Sequence, residues 1–187
     1  QVLDNAANAA ALVYDANDTI SSLIVNSAAT LAQANTWFGN GHVTASTYFI
    51  EDWYANIEAA HGQAILAHAT SPGLGVPAVQ ADGNALANNI DLSLQTVSVY
   101  VNALGGNDTI IGSTLAADTI NAGTGADTTT LNVDTYSDMI VQNFGDSVTA
   151  TFVSVGGGTF GNGDWIQFGG GVDTVTSFQA GVFRDIL

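Results

Sequence analysis

The chain contains no cysteine, no lysine and a single arginine, Arg184. Without thiols there is no disulfide framework and no thiolate site for metal or redox chemistry. Against that one arginine stand 17 Asp and Glu, giving a formal net charge of −16. A chain so poor in cations cannot neutralise phosphates, which argues against nucleic acid and anionic membrane surfaces as partners. Lysine catalysis is excluded, and no Gly-x-Ser-x-Gly elbow, His-Glu-x-x-His pair or phosphate loop occurs. No window reaches the roughly 18 apolar residues of a membrane span, so membrane insertion is not expected. The amino end lacks a basic segment leading into an apolar run, so a cleavable export signal is not expected there. Proline is nearly absent, and both copies (Pro72 and Pro77) fall in one short stretch.

What remains is apolar and small. Hydrophobic residues make up 47% of the 187, ample for a core. Only 10% are charged, so the acidic balance is not that of a solvated disordered tail. Self-repulsion nevertheless opposes compaction, and bound cations would relieve it.

The most regular stretch runs from Gly105 to Asp127. Asp-Thr-Ile occurs at Asp108 and again at Asp118, and Asp127 follows nine positions later. Asp164 and Asp173 are again nine apart. Glycine precedes Asp108, Asp127, Asp164 and Asp173 (Gly106, Gly123, Gly125, Gly163, Gly171), and an apolar residue stands two places after Asp108, Asp118, Asp164 and Asp173 (Ile110, Ile120, Ile166, Val175). Such a unit predicts a glycine turn followed by a short strand whose apolar residue points inward. Stacked turns would gather carboxylate and carbonyl oxygens, the ligands a hard cation such as Ca²⁺ prefers.

This repeat resembles the calcium-binding parallel β-roll of RTX proteins, Gly-Gly-x-Gly-x-Asp-x-U-x with U apolar. Phe168 to Thr176 matches best; Ala122 to Asp127 follows closely but carries Thr129 at the apolar position. Leu104 to Ile110 lacks only the second glycine. The Asp118 unit departs further, with Ala116 and Ala117 in place of glycine and a ten-residue step from Asp108. The resemblance implies Ca²⁺ as cofactor, with Asp108, Asp118, Asp127, Asp164 and Asp173 as metal ligands in the turns of those glycines. It further implies type I secretion and an extracellular or cell-surface location. Residues 83–90 resemble a degenerate leading rung, and residues 173–187 the segment that closes such rolls.

The first half reads differently. Ile20, Leu23, Ile24, Ala28 and Leu31 recur at helical spacing, and Phe49, Ile50, Trp53, Ile57, Ala60 and Ala64 predict one long helix from Ser46 to about Ala69. The stretch from Ser71 to Pro77 then breaks the chain. The expected fold class is therefore α+β, with a helical domain over 1–75 and an RTX-like β-roll domain over 76–187. Chemistry in the helical part is sparse. Glu58 and His61 have the spacing of half a di-iron site, without a second such helix. His42 with Tyr48 or Tyr54 could form a haem grip, though nothing in the spacing requires it.

No catalytic set emerges, so an enzyme is not expected. The composition, rich in Ala, Thr, Asn and Gly and nearly free of Lys and Arg, resembles RTX-type surface-layer proteins. The function this implies is structural: a calcium-dependent, self-assembling building block of a bacterial surface layer, sheath or extracellular filament. Its partner would be itself, head to tail. The alternative is a secreted haem- or metal-binding or enzymatic module carried on an RTX export and folding domain.

Overall fold

The computed structural model of the chain describes residues 1–71, 77–113, 115–131, 139–141, 147–152, 165–167 and 174–176. Every ladder among the described strands is parallel. The first three strands, β1 (Val2–Asp4), β2 (Leu23–Val25) and β3 (Ser46–Thr47), form a small sheet in that order. Two short helices, α1 (Ala6–Ala10) and α2 (Leu31–Ala34), lie between its successive strands. Next come β4 (Ile50–Trp53), α3 (Tyr54–Ala59) and α4 (Ala64–Ala67). Beyond them the strands alternate between two sheets. The six-stranded sheet joins β4 to β5 (Val79–Asn84), β7 (Tyr100–Leu104), β9 (Thr119–Asn121), β11 (Met139–Val141) and β13 (Trp165–Gln167). The five-stranded sheet runs β6 (Asn89–Asp91), β8 (Thr109–Ile111), β10 (Ala126–Leu131), β12 (Ser147–Phe152) and β14 (Thr174–Thr176). The chain thus winds as a coil, each turn contributing one strand to each sheet.

The coil closes on buried apolar residues that recur at one register position of successive strands. Ile90 and Ile110 share a register row in the five-stranded sheet, and Ala81, Val101, Ile120 and Ile140 share one in the six-stranded sheet. All six are fully buried. Each isoleucine so buried contributes on the order of 1.5–3 kcal/mol, so a three-residue strand suffices when every coil repeats the contact.

The expected α+β division is corrected by the structure, which is mixed α/β with parallel sheets and four short helices among the described residues. There is no helical half. Residues 23–25 form a strand whose Leu23 and Val25 are buried while Ile24 is half-buried, the alternation of a sheet. The capping box of Thr30 and Gln33 starts α2 only afterwards, and that helix lasts four residues. The long helix expected from Ser46 to Ala69 is instead two strands and two short helices. Ile50 is buried from β4, and Glu51 faces out beside it. Gly62, at φ +70°, falls between α3 and α4. Parallel coiling already links the first half to the second: Ala29 bridges Ile50, and β4 pairs with β5 from Ile50↔Val79 to Trp53↔Asp82.

Candidate functional site

The turns leading into the five-stranded sheet stack on one edge of the coil. Asn84 pairs with Leu104 and Gly105 with Thr124, which sets residues 84–88, 104–108 and 123–127 in three layers. The layers are held by backbone bonds, Gly106 N donating to Thr124 O at 2.9 Å and Thr124 N to Leu104 O at 3.0 Å. Three glycines are required here. Gly106 has φ +115°, and a Cβ on it would lie 2.5 Å from the Leu86 carbonyl carbon. Gly125, at φ +144°, presses its Cα against the Gly106 carbonyl of the layer below, leaving no space for a side chain. Gly123 sits over Leu104, and Leu104 itself takes φ +72°, a conformation that costs a branched side chain about 1–2 kcal/mol.

The aspartates of these layers point into the coil. Asp108 is 1% exposed and Asp127 2%. Asn88 N donates to Asp108 Oδ1 at 2.7 Å, and Asp108 N donates to Asp127 Oδ1 at 2.8 Å. Each carboxylate therefore clamps the backbone one coil below, at the residue that occupies its own place in that layer. The second oxygen of Asp108 is buried with no hydrogen-bond partner. Burial pushes the Asp108 carboxyl above its ordinary range, and the Asn88 amide only partly opposes that shift. A buried, half-satisfied carboxylate calls for a proton or a cation.

Asp118 lies apart from this pair, on the turn leading into the six-stranded sheet. Both its oxygens accept backbone amides: Val99 N at 3.0 Å, one coil below, and Ser113 N at 2.6 Å, within its own turn. Ser113, fully buried, also donates from Oγ to Ala116 O at 2.8 Å. Asp118 is thus a hydrogen-bonded lock in a turn whose Ala116 stands where the Asp108 and Asp127 turns have glycine. Gly163, Asp164, Gly171 and Asp173 lie outside the described residues. Of the ten residues expected to bind metal, the structure brings together Asp108 and Asp127 with Gly106, Gly123 and Gly125, and separates Asp118 from them. Among the described residues no three His, Asp or Glu side chains gather as a metal cluster.

The sequence reading missed Asn88 and Asn107. Asn88 stands where the next layers have aspartate, twenty positions before Asp108, and its side-chain oxygen accepts from Asn84 N at 2.9 Å. Asn107 Oδ1 accepts from Ala126 N at 3.1 Å, adding a clamp between the same layers. The signal for Asn88 was present, since Asn88-Asn89-Ile90 repeats the pattern of Asp108-Thr109-Ile110 with a neutral head.

No protein-family model, curated protein or solved structure matches this chain. The site must be judged on its own geometry. That geometry leaves the histidines with local roles. His61 Nδ1 lies 2.9 Å from Glu58 O, while the Glu58 carboxylate accepts from Asp91 N at 2.5 Å, so the two side chains do not share a site. His68 Nδ1 lies 2.8 Å from Ala64 O. His42 Nδ1 lies 2.8 Å from Asp18 O, and its ring stacks on Tyr14 with centroids 5.2 Å apart. Tyr48 is buried, donates to Ile65 O at 2.9 Å, and its phenol is pushed up to about 12 by burial, which unsuits it as an anionic ligand.

Proposed function

We propose that this chain is a secreted structural protein, a calcium-stabilised coil that assembles with copies of itself at a bacterial surface. The observation that carries the reading is the stack of Asp108 on Asp127 with one Asp108 oxygen buried and unpartnered. A divalent cation fits that atom. Asp108 would supply the oxygen, Asp127 a second carboxylate, and the Gly106 and Gly125 turns neutral oxygens. The ion would supply positive charge where the chain has almost none of its own.

The charge balance supports the same reading. Calcium bridging carboxylates would turn a −16 chain from self-repelling to adhesive. The ends of the coil support assembly: among the described residues β13 and β14 are the last strands of their sheets, with one edge unpaired. Such edges are covered or joined in stable proteins. Joining them end to end makes a heterologous, head-to-tail contact that propagates into a filament or layer.

Calorimetric titration of chelator-treated protein with Ca²⁺ tests the site, and sedimentation across the same titration tests assembly. The reading expects saturable binding in the micromolar-to-millimolar range of extracellular sites, a raised melting temperature, and growth of larger species. No calcium heat and an unchanged melting temperature would remove the cation. A monomer at saturating calcium would remove the assembly.

A further inference from the structure

Side chains alternate along a strand, so the residues flanking the buried row of the six-stranded sheet turn away from the core. Over β4, β5, β7 and β9 these outward positions form two rows across the coils. One row is Glu51, Gln80, Tyr100 and Thr119; the other is Trp53, Asp82, Asn102 and Asn121. All eight are exposed or half-buried, whereas Ala81, Val101 and Ile120 between them are fully buried. None of the eight is aliphatic. The matching face of the five-stranded sheet over β6, β8 and β10 exposes Thr109 and Thr128, carries Ile111, and has no aromatic ring. Rings and amides are therefore gathered on one face of the coil.

The polar groups of this face satisfy one another only in part. Gln80 Nε2 donates to Asp82 Oδ1 at 2.8 Å, and Asn102 Nδ2 donates to the same oxygen at 3.4 Å. Among the described residues no hydrogen bond engages the side-chain oxygen of Gln80 or Asn102, so each amide keeps an acceptor and a second N–H to offer. Trp53 is 37% exposed, and its ring lies against that of Tyr54 with centroids 4.6 Å apart, which holds it in place. A flat polar sheet beside a fixed indole suits a ligand with hydroxyls around its edge and C–H groups on its face. A sugar ring has that form. A protein partner would need an apolar centre to its interface, and the eight positions supply no aliphatic residue for one. An anionic polymer would be repelled by Glu51 and Asp82 and by the −16 chain as a whole. Those two carboxyls are in hydrogen-bond contact with each other. That is closer than the roughly 5 Å or more at which paired carboxyls flank a glycosidic bond to cleave it. The pair can accept hydroxyl hydrogens without cutting the chain that carries them.

We infer that the outward face of the six-stranded sheet binds a neutral glycan, Trp53 stacking on a sugar ring while Gln80, Asp82 and Asn102 engage its hydroxyls. The inference does not depend on the calcium reading, and calcium is kept saturating in its test so that coil stability is not the variable. The full chain is mixed with insoluble cellulose, chitin and mannan, and the bound fraction is measured against polysaccharide concentration. It should be retained on at least one of them and released by soluble oligosaccharide of the same polymer, not by salt. Trp53→Ala should weaken that retention at least about tenfold, the loss expected when a central aromatic anchor is removed. Asn102→Ala, with an unchanged melting curve, should weaken it as well, which keeps the test decisive if the tryptophan variant folds poorly. Thr128→Ala, on the other sheet, should bind as the parent does. No retention on any of the three polymers would overturn the inference, as would release by salt alone or an equal loss from Thr128→Ala. Self-association abolished by Trp53→Ala, without retention on a polysaccharide, would overturn it and give the face to a second copy of the chain.

Discussion

Thr129 occupies a place that its partners below, Ile110 and Ile90, fill with isoleucine. It is fully buried, and its hydroxyl has no hydrogen-bond partner. A hydroxyl taken out of water without a partner costs about 1–3 kcal/mol, whereas a methyl of the same shape costs nothing of the kind. Thr129→Val should therefore stabilise the coil by about 1 kcal/mol and raise its melting temperature by roughly 2–4 °C for a chain of this size. Differential scanning calorimetry decides it; a lowered melting temperature would mean that the hydroxyl is satisfied. The irregularity was legible in the sequence as a polar residue at an apolar repeat position. Its unsatisfied state was not, because that depends on what the coils above and below offer.

At the level of single elements, apolar spacing misled in the first half. Ile20, Leu23, Ile24, Ala28 and Leu31 fit a helical stripe, but Leu23 and Val25 are also two apart, and that period decides the structure. Alanine made the helix look longer than it is; Ala6, Ala9 and Ala34 are buried on helices of only five and four residues, and Ala29 is buried outside any helix. The glycine turns were easier to read, because positive φ admits few residues and leaves a compositional trace. Within those turns the aspartates differ in ways that spacing cannot show. Asp108 uses one oxygen on an amide and leaves the other bare, while Asp118 spends both on amides. In chelator, Asp108→Asn should be neutral or mildly stabilising: its amide oxygen keeps the Asn88 bond and a buried charge disappears, as Asn88 already does one coil below. Asp118→Asn should cost about 2–3 kcal/mol, since it turns an N–H donor toward an amide N–H. Only Asp108→Asn should abolish the calcium-induced rise in melting temperature. Denaturant unfolding of both variants with and without calcium is the check, and equal losses in chelator would show that the two carboxylates do the same work.

For the whole molecule, the nine- and ten-residue steps among Asp108, Asp118 and Asp127 are half-coils, which places the first and third on one edge and the second on the other. That much of the repeat could be extracted from spacing; where the coil begins could not, because its first turns carry helices in place of glycine and aspartate. The same architecture makes acidity a global variable. Burial raises the carboxyl of Asp108; burial and then the neighbouring Asp82 raise that of Glu51; and burial raises that of Glu58 against the Asp91 amide. A carboxyl whose folded pKa exceeds its unfolded one binds its proton more readily in the native state. Its contribution is then fully present below the unfolded value and is lost as pH rises through the folded value. In chelator, stability should accordingly increase as pH is lowered from neutral toward the ordinary carboxylate range, with easing of the −16 self-repulsion acting in the same direction. Saturating calcium should flatten or reverse that slope, because a proton at Asp108 then displaces a cation that was stabilising the fold. Melting temperatures measured over this window, in chelator and in calcium, give the two slopes directly. Stability that falls on mild acidification in chelator would mean that these carboxylates are held charged by partners within the chain, and the cation would then have no vacancy in charge to fill.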